Sequence, residues 1–329
     1  MGLVAVVMTA PIDVILPTFN GALYLREQVA SIAQQTLRPA RLLLRDDGSS
    51  DETCKIIREL ADEYGAWIEI LPAKGNLGCT ANVSCLLEAT SAPYVALADQ
   101  DDVWLPEKLE VAYREMCSVE SRRGSECPIL VHSDLRLVGK NLEDLGAVFT
   151  QKQVINPLRV HPPEIALTNV VTGCTVFCNR SLLQRALPVP AAALVHDWWL
   201  ALVASAFGEI HFHPSCLILY RQHGANSIGA KGLGWRYWLQ RLMQWMFCPA
   251  QGEGILLRRS IRWIVSNSGM AFVFRLFRSW SACLDGVELS GFAKRPGRIG
   301  PISMVFFERL LCIFGCFESD FALDLGSKG

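Results

Sequence analysis

Pro93-Tyr94-Val95-Ala96-Leu97-Ala98-Asp99-Gln100-Asp101-Asp102-Val103-Trp104 is the stretch on which the reading of this chain turns. Its first six residues form an apolar run of strand length, and three carboxylates follow within the next four positions. Carboxylates crowded in this way repel one another unless a cation neutralises them, and a hard, oxygen-seeking divalent ion is the natural partner. Ligands of open α/β sheets bind outside the carboxyl ends of the strands, so an acidic cluster at such an end is placed for chemistry. A solvated acidic turn is the structural alternative.

Upstream of this strand, Ile12 to Pro17 is a β-run that ends in the loop Thr18-Phe19-Asn20-Gly21, and the pattern from Leu23 to Gln34 predicts a helix. Arg41 to Arg45 predicts a second strand, closed by Asp46-Asp47-Gly48-Ser49-Ser50-Asp51-Glu52, whose Ser and Asp residues suit the cap of a helix over 52–64. A third strand spans 67–71, and Lys74-Gly75-Asn76-Leu77-Gly78 forms a Gly-rich loop before a helix over 80–89. Strands alternating with helices predict an α/β fold with a doubly wound, mostly parallel sheet. Three polar loops then share one edge, the expected nucleotide cleft. Downstream, a helix over 107–120 and strands over 129–132, 170–178 and 209–220 are expected, with a helix running from His196-Asp197-Trp198-Trp199 through Phe207. Residues 134–163 show weak periodicity.

A chain of 329 residues that is 51% hydrophobic can fill a large core and suggests about two domains, or one catalytic domain with an appendage. Its net charge of -1 conceals an asymmetry, because residues 226–329 hold 13 Lys+Arg against 7 Asp+Glu while the preceding part is acidic. The acidic part is expected to carry the metal and the basic part to meet something anionic. Nucleic acid is not an expected partner. The 12 cysteines form no paired Cys-x-x-Cys set, so reduced thiols and a cytoplasmic location are expected. The apolar start lacks a positive n-region and does not read as a signal peptide.

Taken together, these segments resemble the inverting family 2 glycosyltransferases of GT-A fold, over residues 12 to about 228. Asp99-Gln100-Asp101-Asp102-Val103-Trp104, His196-Asp197-Trp198-Trp199 and Tyr220-Arg221-Gln222-His223-Gly224 look like the bacterial rhamnosyltransferase-type members that decorate surface polysaccharides. The resemblance implies a GT-A catalytic domain over 1–228 and a helical C-terminal extension over 229–329. It implies a nucleotide-sugar donor (dTDP-, UDP- or GDP-linked, with dTDP-rhamnose foremost) contacted by Pro17, Thr18, Asn20, Asp46, Asp47, Asn76, Asp99, Asp102 and Arg221. It further implies Mg²⁺ or Mn²⁺ held by Asp99, Asp101 and His223, and a catalytic base at Asp197.

A structural reading stands beside each of these roles. One of Asp46 and Asp47 can serve as a cap, with Asp46 preferred for the base; Asp197 can cap its helix. His223 can be a core or surface residue, and Arg221 an alternative partner of the diphosphate through bidentate hydrogen bonds. Trp104, Trp198 and Trp199 can stack on sugar faces or pack in the core, and His211 and His213 read as structural. In the tail, Trp235, Trp238, Leu239, Leu242, Trp245 and Met246 recur at helical spacing beside Arg236 and Arg241, a composition that suits either core packing or a membrane interface. The apolar run over 301–317 is interrupted by Glu308-Arg309 and is shorter than the roughly 20 residues that span a bilayer. Peripheral attachment to the cytoplasmic membrane face, with a polysaccharide or lipid-linked glycan as acceptor, is the resulting expectation. Two rivals are weighed. A sugar nucleotidyltransferase would carry a Gly-rich, basic loop after the first strand, where this chain has Pro17-Thr18-Phe19-Asn20-Gly21. A non-catalytic binding module would tolerate loss of Asp197 or Asp101, and both are present.

Overall fold

The computed structural model describes residues 9–223, apart from 74, 192 and 194. The expectations for the aromatic, basic tail and for the 1–228/229–329 boundary therefore lie outside the described residues. The elements run β1 (Thr9–Thr18), α1 (Leu25–Ala33), β2 (Arg38–Asp46), α2 (Thr53–Tyr64), β3 (Ile68–Ile70), α3 (Cys79–Ala89), β4 (Tyr94–Leu97), β5 (Val103–Trp104) and α4 (Lys108–Arg123). They continue with β6 (Ile129–Val138), β7 (Asp144–Val148), α5 (Phe149–Gln153), α6 (Pro162–Leu167), β8 (Phe177–Asn179), α7 (Arg180–Ala186), α8 (His196–Phe207) and β9 (Glu209–Arg221).

The strand order is β3-β2-β1-β4-β8-β6-β9-β5, with β7 paired to β6. β1 is parallel to both β2 and β4, and its residues Ile12, Val14, Ile15 and Leu16 are fully buried, as a strand covered on both faces requires. Alternation divides these side chains between two cores. Val14, Leu16, Leu42 and Leu44 join the layer of α1, α2 and α4, whereas Ile15 and Leu43 join the layer of α3, α7 and α8.

The second half departs from the expected parallel pattern. β8 runs antiparallel to β4 and β6, and β5 antiparallel to β9, while β6 and β9 are parallel along their length. That long pairing carries β6 on to Val138, beyond the expected 129–132. The expected strand over 170–178 is also corrected. Gly173–Thr175 forms a 3-10 turn, closed by Thr175 N and Oγ1 donating to Thr172 O, and only Phe177–Asn179 is strand. Within the weakly periodic stretch lie β7, α5 and α6. No helix among the described residues is long and apolar enough to cross a membrane.

Candidate active site

Three loops meet at the carboxyl ends of β1, β2 and β4. The first two are knotted by side chains. Thr18 Oγ1 donates to Asp46 Oδ1 at 3.1 Å, Asn20 N donates to Ser49 Oγ at 2.8 Å, and Asn20 Oδ1 accepts from Ser50 N at 2.9 Å. Asn20 takes a left-handed backbone (φ 49°), a conformation Asn tolerates better than most residues. Pro17 precedes the knot in the register that pairs it with Arg45.

Asp46 closes its own turn: its carboxylate accepts from Gly48 N (3.0 Å), Ser49 N (2.8 Å), Ser49 Oγ (2.5 Å) and Thr18 Oγ1. These donors hold it below its ordinary value although burial pushes the other way. Asp47 is buried, ion-paired to Arg45 at 3.1 Å, and accepts from Leu77 N and Gly78 N at 2.8 Å each. Both aspartates thus fasten the cleft edge, Asp46 by closing its own turn and Asp47 by holding the loop before α3. Asn76 is exposed and accepts from Gly78 N at 3.1 Å. Asn82 is buried against Arg45 and has a packing role.

The turn after β4 is bound to the first loop by Gln100, whose Oε1 accepts from Phe19 N and whose Nε2 donates to Phe19 O, both at 2.9 Å. From the other side the end of β9 underpins it. Arg221 N donates to Asp102 Oδ1 at 3.3 Å, and the guanidinium donates to Asp101 O at 2.8 Å and Lys140 O at 2.5 Å, ion-pairs with Glu27, and lies 4.5 Å from the centroid of Tyr24. Arg221 is 2% exposed. Its described contacts brace the acidic turn. His223 Nε2 stands 2.9 Å from Asp101 Oδ2, so these two expected metal ligands are neighbours.

Asp102, expected among the donor contacts, is 0% exposed and lies beneath the turn, where it cannot meet a donor directly. Its Oδ2 accepts no hydrogen bond among the described residues. Burial foremost, and then the charges of Asp99 and Asp101, push its carboxyl well above the ordinary range. Asp99 is pushed up to about 7 by burial and by the charges of Asp101 and Asp197. An acidic set that resists ionisation, with a buried carboxylate oxygen left over, fits a divalent cation.

Asp197 lies in the first turn of α8, after the N-cap Val195, so it is not the cap. It is buried and held by Asn169 Nδ2 (3.2 Å to Oδ1), Trp198 N (2.6 Å to Oδ1) and the amide of Gly173. Burial raises its carboxyl above the ordinary range, partly offset by His196 and these hydrogen bonds. Gly173 packs closely on this turn: a β-carbon there would stand 3.0 Å from His196 Nε2, which would have to shift slightly, and in ordinary contact at 3.5 Å with Asp197 Oδ2. The Cys79 thiol at the start of α3 is pushed up by desolvation and then by the charges of Asp99, Asp197 and Asp47. Because Gly173 lies against Asp197 and Cys174 brings its sulfur within 4.8 Å of Asp99 and Asp102, the acidic turn and Asp197 face one region.

Trp104 and Trp199 are 2% and 1% exposed, so sugar stacking is ruled out for both. Trp199 donates to Ala186 O, and Trp104 is covered by Lys108 Nζ at 3.6 Å from its ring centroid. Trp198 is partly exposed and donates to Ile165 O. His211 and His213 face Glu115, the structural place expected of them. Gln100, Asn169, Gly173 and Cys174 are site residues that the sequence did not single out for a role. Only Gln100, enclosed by carboxylates in one short string, carried a local signal.

The mixed α/β sheet, with the acidic turn after β4 and the buried carboxylate of α8 at one edge, has the architecture of the GT-A fold. Residues 13–121 match the glycosyl transferase family 2 model. An uncharacterized glycosyltransferase of Rickettsia prowazekii is 26% identical over 220 residues, covering 66% of this chain and 65% of the relative. The dTDP-rhamnosyl transferase RfbG of Shigella flexneri is 26% identical over 218 residues, covering 65% and 73%. For several of the curated relatives the match thus spans less than two thirds of their length. Among solved structures, S. aureus TarS 1-349 in complex with UDP-GlcNAc superposes with a TM-score of 0.50 at 15% identity, over 78% of this chain and 73% of that one, which supports the fold.

Proposed function

We propose that the chain is an inverting glycosyltransferase that moves a sugar from a nucleotide donor to a glycan acceptor, with Asp197 as the general base. The observation that carries this reading is the turn at Gly173-Cys174, where Gly173 lies against the Asp197 carboxylate and Cys174 brings its sulfur within 4.8 Å of Asp99 and Asp102, so that the acidic turn and the start of α8 border one cleft. Inversion requires the acceptor oxygen to attack the anomeric carbon in line as the nucleoside diphosphate departs with the bonding electron pair. The acceptor proton passes to Asp197, whose basicity is strengthened by burial. Gly173 N, Trp198 N and Asn169 orient that carboxylate, and the knotted loops after β1 and β2 hold the nucleotide end.

Asp99, Asp101 and His223 would hold Mg²⁺ or Mn²⁺, which when bound supplies Lewis-acid stabilisation of the growing charge on the diphosphate. Pro17, Thr18, Asn20 and Asn76 line the donor side in this reading. Rhamnose from a dTDP donor is the proposed sugar, supported by the motif resemblance and by the similarity to the S. flexneri rhamnosyl transferase. The acceptor is proposed to be a surface polysaccharide precursor or a lipid-linked glycan. The basic, aromatic composition of 229–329 supports peripheral contact with an anionic membrane face.

The test is release of nucleoside diphosphate from a panel of dTDP-, UDP- and GDP-sugars with Mn²⁺ or Mg²⁺, with and without membrane lipid extract as acceptor. Release from dTDP-rhamnose, abolished by Asp101→Asn, is the expected result. Binding of nucleotide sugars without turnover of any donor would overturn the reading in favour of a binding module.

A further inference from the structure

Beneath the cleft, Asp99, Asp102 and Cys174 bring one ligand atom each to within 4.8 Å of one another. Cys174 belongs to the 3-10 turn before β8, is 0% exposed, and its thiol lies against the Asp102 carboxyl. Asp102 Oδ2, itself fully buried, forms no hydrogen bond of ordinary geometry among the described residues, and the Cys174 thiol beside its carboxyl is a weak donor, so the group contains a poorly satisfied, desolvated acceptor. Lys108, also buried and with no hydrogen-bond partner at Nζ among the described residues, lies near Cys174 and Asp102, and burial lowers its amine to about 7.

We propose that Asp99, Asp102 and Cys174 form an inner site for a thiophilic divalent cation such as Zn²⁺, which shares Asp99 with the outer set of Asp99, Asp101 and His223 and competes with it for that carboxylate. Two features argue for a soft or borderline ion over Mg²⁺. Thiolate sulfur is a ligand for Zn²⁺ and Cd²⁺ and a poor one for hard cations. Burial argues the same way, since Asp102 and Cys174 are 0% exposed whereas Mg²⁺ holds on to several waters. Zn–O and Zn–S bonds of about 2.0–2.3 Å separate tetrahedral ligands by roughly 3.5 Å, so the three groups must close by about 1 Å. On binding, the S–H proton leaves to solvent and the sulfur lone pair enters the metal bond. Occupation would draw Asp99 inward, away from a donor. The inference rests on this geometry and holds whether or not the chain transfers a sugar.

The experiment uses the full chain with Cys79, Cys85 and Cys117, the exposed cysteines among the described residues, changed to Ser, and Cd²⁺ alone as probe. The thiolate-to-cadmium charge-transfer absorption is titrated, and circular dichroism monitors the fold. Cys174→Ser is expected to remove one thiolate's share of the band, Asp102→Asn to weaken binding at least about tenfold, and Asp101→Asn to leave both unchanged. A Cys174→Ser protein with an undiminished band, or Asp101→Asn abolishing the binding, overturns the proposal. Should Cys174→Ser fail to fold, anomalous diffraction from Zn²⁺-soaked crystals of the unmutated chain decides. A peak bonded to Cys174 Sγ supports the inner site, and its absence there refutes it. Loss of glycosyl transfer would not affect either readout.

Discussion

Asp197→Asn removes the proposed base while leaving its cradle nearly intact. The amide keeps an oxygen for Trp198 N and Asn169 Nδ2, which now meet Oδ1 at 2.6 and 3.2 Å, and turns its NH₂ toward the Gly173 amide. One hydrogen bond is lost there, costing about 1–3 kcal/mol of stability, so the variant should fold. General-base catalysis contributes roughly 10²–10⁴ in rate, or about 2.7–5.5 kcal/mol in the barrier. We therefore expect kcat to fall by that factor with the dissociation constant of the nucleoside diphosphate changed little. The pH profile supplies a second signature. Burial raises the Asp197 carboxyl, and a base works only when deprotonated, so kcat of the unmutated chain should rise with pH through a midpoint above the ordinary carboxylate range. The assay is initial-rate release of nucleoside diphosphate from the accepted donor, with calorimetric titration of the product nucleotide. A variant within tenfold of the parent, or one that keeps the same rising limb, would refute the assignment of the base.

Gln100→Ala removes both hydrogen bonds to Phe19, worth about 1–3 kcal/mol together. The expected outcome is a donor KM raised on the order of tenfold with kcat altered less, measured by steady-state kinetics. Gly173→Ala places a methyl 3.0 Å from His196 Nε2 and should push that ring, and through it the start of α8 that carries Asp197, lowering kcat up to about 10²-fold while Tm changes little. His132 is buried, and burial, with His211 second, lowers its imidazole to about 3. The unfolded chain protonates it near 6.5, so His132 makes stability decline as pH falls from about 6.5 toward 3. Urea unfolding of His132→Phe should therefore show less of this acid decline than the parent, and identical pH slopes would contradict the argument.

The N-terminal half was legible in the sequence because each strand there is a short apolar run punctuated by Asn, Asp, Gly and Ser, signals that act locally. The edge carrying Thr18, Asp46, Asn76 and Asp99 followed from topology alone, since parallel strands deliver their carboxyl ends to one side. Roles within that edge were less legible. Whether Asp46 faces a ligand or its own turn depends on donors up to 28 residues away, such as Thr18 Oγ1. Arg221 reads as a phosphate ligand by residue type, yet its partners Glu27, Asp101 and Lys140 arrive from three distant segments. The antiparallel turn of the sheet at β8 was hidden because 170–178 is apolar throughout, and only a local Thr172–Thr175 hydrogen-bond pattern breaks the strand. Trp104 looked like a sugar platform, but its burial is set by Lys108 and the pairing of β5 with β9.

The most direct measurement is a crystal structure of the chain with Mn²⁺ and an unreactive dTDP-sugar analogue. The account predicts manganese at Asp101, the thymidine end against the loops after β1 and β2, and the anomeric carbon presented toward Asp197. A nucleotide bound elsewhere, or a sugar directed away from the first turn of α8, would contradict it.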